Sequence, residues 1–271
     1  MTDPDIVRGH YGMQSLLDRL KAVLIVFGPD DQPLKTDQLG PLDQFHTLGS
    51  KATADLADLS GIHTDTRVLD VGSGLGGPAR YIAASRGCRV TGIDLSAPFV
   101  EAARYLSQRA GLGDRTTFEV AGALDLPFTI GAFDVVLLQH VAMNIADRAK
   151  LYAGLRRVLV RGGRFATFDI VTNAGAPSYP MPWARTPDAS FLLSADATRA
   201  AIKGAGFRDQ IWRDDTPAAA AWFAKLRETG LPPGPNLSTV MGDDFQQLTA
   251  NLARDLTEGR LSVVTGIFEA I

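Results

Sequence analysis

The chain has 271 residues, a formal net charge of −3 and one cysteine. That length holds one large α/β domain or a domain with a cap, and the slightly acidic balance leaves no excess of basic side chains for a phosphate backbone, which argues against general nucleic-acid binding. The lone Cys88 excludes an intrachain disulfide and a thiolate metal cluster, and it reads as a small apolar residue beside a strand in a cytoplasmic chain.

The start, Met1 to Asp5, is acidic, and the longest apolar run near it, Ala22 to Phe27, is too short to cross a membrane, so no signal peptide and no membrane span are expected. Residues Ile6 to Phe27 place apolar side chains at Met13, Leu16, Leu17, Leu20, Val23 and Leu24, which predicts an amphipathic helix. Gly28 to Pro33 breaks it, and Leu42 to Gly49 reads as a connecting loop that sets Phe45 beside His46. A second helix is predicted from Ser50 to Leu59, closing at Gly61. Residues 1–60 are therefore expected to cap a main domain of residues 61–271.

From Arg67 onward strands alternate with helices. Strands are predicted at Arg67 to Val71, Arg89 to Ile93, Thr116 to Val120, Phe133 to Leu138, Arg164 to Ile170, Phe207 to Trp212 and Leu261 to Phe268, the fifth entered through a turn at Gly162-Gly163. Helices are predicted at Pro78 to Ser85, Pro98 to Ala110, Asp147 to Leu159 and Asp196 to Ala205. The fold class is α/β: a seven-stranded, mostly parallel sheet with helices on both faces. Two stretches, 172–190 and 216–259, interrupt the rhythm after strands and are expected to fold as lid segments over the carboxyl edge, where ligands of open sheets bind.

The run Val68-Leu69-Asp70-Val71-Gly72-Ser73-Gly74-Leu75-Gly76-Gly77-Pro78 takes a strand through a glycine-rich turn into a helix. Its glycines let a ligand lie against the main chain, and the helix start offers free NH groups. Gly72, Gly74 and Gly77 fit the dinucleotide fingerprint G-x-G-x-x-G, which keeps an NAD-dependent oxidoreductase as an alternative. Asp70 opposes it, because a carboxylate at the strand end would face the phosphates that the helix start attracts. It suits a cationic, phosphate-free nucleoside instead. Asp94 stands eighteen positions past Gly76 at the next strand end, about the spacing at which a carboxylate grips ribose hydroxyls.

Together, Asp70-x-Gly72-x-Gly74-x-Gly76 and Asp94 resemble the class I S-adenosylmethionine-dependent methyltransferases. The resemblance continues through Leu126-Pro127-Phe128, Phe133-Asp134-Val135-Val136 and Arg157-Val158-Leu159-x-x-Gly162-Gly163, and covers Arg67 to Asp169. It implies a Rossmann-like fold, S-adenosylmethionine as cofactor and S-adenosylhomocysteine as product; the order of the predicted elements adds a helical N-terminal cap and an insertion before the last strand. Gly74-Leu75-Gly76-Gly77-Pro78-Ala79-Arg80, Gln139-His140 and Gln44-Phe45-His46 are most similar to the small-molecule subgroup that includes quinone C-methyltransferases and glycine/sarcosine N-methyltransferases.

By that resemblance Asp70, Gly72, Ser73, Gly74 and Gly76 hold the methionine end of the cofactor and Asp94 the ribose. Leu95 packs on the adenine with Ala123 beside it, Leu124 joins the cofactor set, and Gln139 reaches the amino-acid portion. One departure concerns adenine: many relatives carry Gly-Asp-Ala where this chain has Ala121-Gly122-Ala123, so recognition falls to the backbone or another residue such as Asp125.

A sulfonium methyl is already activated, so no metal is required, and the four histidines do not form metal-ligand spacing. His140 is the first candidate for a base, with a loop-positioning histidine as its alternative; His46 and Tyr11 complete the catalytic candidates, with His10 behind them. Tyr11, Phe45, His46, Met143, Asn144 and Trp183 are the candidates for the substrate side, Asn144 doubling as a cap for the following helix. The expected activity is methyl transfer to an N, O, C or S atom of a small molecule. A non-methylating S-adenosylmethionine-binding protein of the same fold is a further alternative. The sequence sets no oligomeric state; a homodimer is compatible with it.

Overall fold

In the computed structural model, which describes residues 16–231, 233–242 and 244–271, seven strands form one sheet in the order β3-β2-β1-β4-β5-β7-β6. They are β1 (Arg67–Val71), β2 (Arg89–Asp94), β3 (Thr116–Val120), β4 (Phe133–Gln139), β5 (Leu159–Thr172), β6 (Phe207–Asp214) and β7 (Leu261–Ala270). Strands β1 to β5 pair in parallel, and β7 is antiparallel to both of its neighbours. The mostly parallel seven-stranded sheet expected from the sequence is present. Its strand order reverses between β1 and β4, which opens the crevice where such sheets take ligands.

The helices are α1 (Leu16–Leu24), α2 (Thr36–Asp43), α3 (Ser50–Leu59), α4 (Gly77–Arg86), α5 (Ala97–Arg109), α6 (Arg148–Val158), α7 (Ala195–Gly204), α8 (Thr216–Thr229), α9 (Ser238–Met241) and α10 (Phe245–Thr257). Strand periodicity divides the core. Val68, Val135 and Leu137 face α3, α4, α8 and α10, while Leu69, Val71, Val136 and Leu138 face α6 and α7. By the same alternation Asp70 and Gln139 belong to the first face, at the carboxyl ends of β1 and β4.

A third cluster joins the N-terminal helices to the rest. Leu16, Leu20 and Leu24 lie one turn apart along α1 and pack with Leu39 and Leu42 of α2, Phe99 and Leu106 of α5, and Val240 of α9. Each fully buried leucine there contributes on the order of 1.5–3 kcal/mol of apolar transfer. The N-terminal helices thus touch the insertion before β7 as well as the main sheet's helices.

Three elements differ from expectation. The long first helix appears as α1 followed by a 3-10 turn at Ile25–Phe27, and residues 6–15, with His10, Tyr11 and Met13, lie outside the described residues. Helix α2 occupies a stretch to which no element was assigned, between the breaker at Gly28 to Pro33 and the expected loop, and takes in the loop's first two residues, Leu42 and Asp43. It contains Gly40 and Pro41, which hid it, and is fixed by the buried Leu39 and Leu42 and by the Lys35 NH donating to Gln38 Oε1 at 2.8 Å. Strand β5 begins at Leu159, paired with Phe133, and the register shifts before Val135 meets Arg164. Gly162-Gly163 therefore sits in an irregular stretch of the strand, not in a turn ahead of it.

Since β6 and β5 both run antiparallel to β7, they are parallel to each other, and the segments that follow them leave from the same edge of the sheet. Cys88 is buried, as a small apolar residue would be, and burial pushes its thiol pKa up. Among the described residues no helix is long and apolar enough to cross a membrane.

Candidate active site

The glycine loop is fastened at both ends. The NH groups of Gly72 and Ser73 donate to the Ile93 carbonyl at 2.8 and 2.9 Å, and the Gly74 NH donates to Asp94 Oδ2 at 2.9 Å. The other Asp94 oxygen accepts from the Ser96 NH at 2.9 Å, so one carboxylate ties the first loop to the start of α5. Gly72 has φ +74°, and a Cβ there would stand 2.4 Å from Val141 Cγ2. Only glycine meets both conditions.

A cavity of about 1140 Å³ opens over these loops. Its wall includes Asp70, Gly72, Ser73, Gly74, Asp94, Leu95, Ala123, Leu124 and Gln139 of the expected cofactor set, and Phe45, His46, His140, Met143, Asn144 and Trp183 of the expected catalytic and substrate sets. Gly76 is absent from that wall. It caps α4 with a left-handed backbone, and its Cα faces the Phe118 ring, where a Cβ would stand at 2.5 Å. Tyr11 lies outside the described residues.

Asp70 is 2% exposed. Burial, and then the neighbouring Asp94, push its pKa up to about 7. Asp94 is also raised by burial, against the pull of the NH groups of Ser96, Gly74 and Leu95. Asp70 Oδ2, Ser73 Oγ and one amide atom of Gln139 are buried without a hydrogen-bond partner in the protein. Buried polar atoms are normally paired, so three such atoms around one cavity fit a ligand that brings charged and hydrogen-bonding groups of its own.

The methyltransferase domain family matches residues 69–167. The 27-O-demethylrifamycin SV methyltransferase of Amycolatopsis mediterranei strain S699 is 31% identical over 236 residues, spanning 86% of this chain and 76% of that one. The chain belongs to the S-adenosylmethionine-dependent methyltransferases. The tocopherol O-methyltransferase of Arabidopsis thaliana is 40% identical over 98 residues, 36% of this chain and 28% of that one. That second likeness is confined to a minor part of the relative. A crystallised geranyl diphosphate C-methyltransferase from Streptomyces coelicolor A3(2) shares the fold, with a TM-score of 0.72 at 20% identity over 98% of this chain and 97% of that one.

Membership sets the oxidoreductase reading aside and gives Gly77 another explanation. The third glycine of the dinucleotide pattern begins α4, and its missing side chain makes room for the Asp43 carbonyl, which a Cβ would meet at 2.3 Å. It serves the junction with α2.

Beyond the cofactor loops the methyltransferase carries a buried polar chain. His46 Nδ1 stands 3.2 Å from the Thr47 carbonyl and must donate to it, which leaves Nε2 as an acceptor. Thr53 Oγ1 is 3.1 Å from that nitrogen, 3.0 Å from Gln44 Oε1 and 3.3 Å from Gln139 Oε1. One hydroxyl proton cannot serve three acceptors. Amide nitrogen and oxygen are assigned from the network. With the Thr53 proton on His46, the count turns the Gln139 NH2 toward Thr53 and makes its carbonyl oxygen the atom without a protein partner.

His140 follows directly. Its backbone has φ +53°, in the left-handed region, a conformation that costs a non-glycine residue on the order of 1–3 kcal/mol and concentrates at functional sites. Its NH donates to the Phe168 carbonyl at 2.8 Å. The ring stacks on Phe168 at 5.3 Å between centroids, and Nε2 lies 3.4 Å from Thr47 Oγ1. Burial, with His46 adding to it, holds the His140 pKa well below the usual range, and burial lowers that of His46 to about 4. Both imidazoles are neutral at pH 7, and the unprotonated nitrogen of His46 is taken by Thr53.

Three further residues position this turn without having been found in the sequence. Asp169 Oδ2 accepts from the Ala142 NH at 3.0 Å and Oδ1 from the Ile170 NH at 2.9 Å, fixing the backbone after His140. Burial raises the Asp169 pKa to about 6 against the pull of Arg148. Thr47 and Thr53 hold the two histidines. The cap role expected of Asn144 belongs to Asp147, whose Oδ1 accepts from the Lys150 NH at 2.9 Å; Asn144 Nδ2 donates to the Val141 carbonyl at 3.3 Å instead.

Proposed function

We propose that this methyltransferase acts on a hydroxyl of a small-molecule acceptor, with His140 receiving the proton. The observation that carries the reading is a neutral, strained, cavity-lining imidazole immediately after Gln139, one residue beyond the wall with unpaired polar atoms. The names of two relatives, a 27-O-demethylrifamycin SV methyltransferase and a tocopherol O-methyltransferase, support oxygen as the accepting atom.

Bound S-adenosylmethionine supplies a methyl group already activated by its sulfonium. Asp70, Ser73 and Gln139 hold the amino-acid end through the atoms that lack protein partners. Asp94 keeps lone pairs for ribose hydroxyls besides the two NH groups it already accepts. Leu95, Ala123 and Leu124 flank the adenine, with Asp125 the side-chain acceptor available beside Gly122. Phe45, Met143, Asn144 and Trp183 face the acceptor. His46 spends its Nε2 on Thr53, so it orients the network, and Tyr11 stays in the proposal as a group on the acceptor side. The reading treats residues 1–60 as a cap on residues 61–271, in a cytoplasmic protein.

The test combines calorimetry with S-adenosylmethionine and release of S-adenosylhomocysteine from fractionated metabolites, followed by mass identification of the product. His140→Asn keeps a side chain that tolerates the left-handed backbone and removes the base. Turnover is expected to fall about 10²–10⁴-fold while cofactor affinity changes little. Unchanged turnover removes His140 from the mechanism.

A further inference from the structure

Resting on that reading, we propose that the acceptor is a bulky, mainly apolar, uncharged hydroxyl compound and not a small amine. The cavity has two banks of opposite chemistry. The carboxyl ends of β1, β2 and β4 supply the polar bank just described. The facing bank is mostly apolar, built by Trp183 and by Trp222, Phe223, Leu226, Met241 and Phe245 of the insertion, with Asn236, Gln246 and Thr249 as polar positions among them. Drug-sized ligands fill pockets of roughly 300–1,000 Å³, so about 1140 Å³ holds the cofactor with space left for a second body. An acceptor of a few atoms would leave the apolar bank wet.

Charge points the same way. The lining carboxylates are Asp37, Asp43, Asp70, Asp94 and Asp125, and none stands on α8, α9 or α10. Asp43 is spent on Arg80 at 2.7 Å, Asp37 accepts from the Gln38 NH at 2.9 Å, and Asp70, Asp94 and Asp125 belong to the cofactor bank. The charged side chain that the insertion adds to the wall is the exposed Arg227, which forms no ion pair among the described residues. Among the described residues, a cation approaching this bank meets the positive charge of Arg227 and no lining carboxylate on α8, α9 or α10. Aromatic rings could offer a cage instead, but Trp222 packs edge-to-face on its own neighbour Phe223, with centroids 4.9 Å apart, so these two rings do not stand as facing walls.

The experiment follows fluorescence of the full chain, two of whose three tryptophans line the cavity, in the presence of S-adenosylhomocysteine. Estradiol, 4-nonylphenol and farnesol are titrated beside sarcosine and ethanolamine. At least one of the three lipophiles is expected to bind saturably and about tenfold or more tighter than either amine; a smaller preference for all three overturns the proposal. Leu226→Glu is expected to weaken the best lipophile about tenfold or more, and unaltered affinity overturns its assignment to this bank. Calorimetry with S-adenosylhomocysteine alone separates the two levels. Failure there sinks the parent reading, while cofactor binding without lipophile preference sinks only the acceptor class.

Discussion

At the scale of single residues, Asp70 gives the site a pH dependence whose sign can be worked out. Its carboxyl ordinarily titrates near 3.8 and in the folded chain at about 7. Between those values the folded chain holds a proton that the unfolded chain has lost, so this group's contribution to stability falls as pH rises through that window. An ammonium brought to Asp70 favours the ionised form. Binding of S-adenosylmethionine is therefore expected to release a proton below about pH 7, with affinity declining as pH falls from about 8 to about 6. Calorimetry in two buffers of different ionisation enthalpy reads that proton, and Asp70→Asn should abolish it; proton-neutral binding by the wild type would place the ammonium elsewhere. Asp70 was legible in the sequence because a strand end and a glycine spacing are one-dimensional signals. Thr47 and Thr53 were not, since they meet His140 and Gln139 across 93 and 86 residues, and nothing local marks a threonine for such a partner.

Among elements, the glycine loop was the most readable and the N-terminal helices the least. The run from β1 to α4 concentrates its information in a few adjacent positions, and the structure adds why one of them is fixed: Gly72 is left-handed and abuts Val141. Gly72→Ala adds a left-handed penalty of about 1–2 kcal/mol and displaces the residue next to His140. The expected result is a retained far-UV dichroism spectrum with cofactor affinity lowered about tenfold. Affinity within twofold of wild type would mean that the loop has slack the geometry does not show. Helix α2 escaped because Gly40 and Pro41 are poor helix formers in isolation; burial of Leu39 and Leu42 against other helices overrides them. The stretches 172–190 and 216–259 supply Trp183, Trp222 and Phe223 to the cavity wall, yet the aromatic pair Trp222-Phe223 was read only as part of a helical stretch, because which face of a helix meets a cavity depends on its docking.

For the whole molecule, the link between the N-terminal helices and the helices on the sheet is electrostatic as well as apolar. Arg80 of α4 is 0% exposed and Asp43 of α2 is 3% exposed. The guanidinium also donates to the Ala103 carbonyl at 3.2 Å and Ser107 Oγ at 3.3 Å, which adds α5 to the joint. Burial pushes Asp43 up and Arg80 down, each held back by the other's charge. Removing one member of such a pair costs about 3–5 kcal/mol, whereas replacing both by apolar groups is often near neutral. Urea unfolding of Arg80→Met should show a loss of about that size, and the double variant with Asp43→Leu should recover more than half of it. Purely additive effects would show that the two charges do not depend on each other.

The excursion that carries the cavity-lining helices α8 to α10 leaves and returns at neighbouring points. The Asp215 NH donates to the Val263 carbonyl at 2.8 Å, the Val263 NH donates to Thr216 Oγ1 at 3.0 Å, and the Asn173 NH holds the Arg260 carbonyl at 2.9 Å. With its ends clamped beside each other on the sheet, the segment behaves as a cassette: doubling a flexible loop's length costs only about 0.6 kcal/mol of closure entropy. Its cavity-facing positions can change while Ala219, Leu252 and Leu256 keep packing on Val263 and Ile267 of β7. The fold thereby keeps one methyl donor while leaving the choice of recipient open to revision.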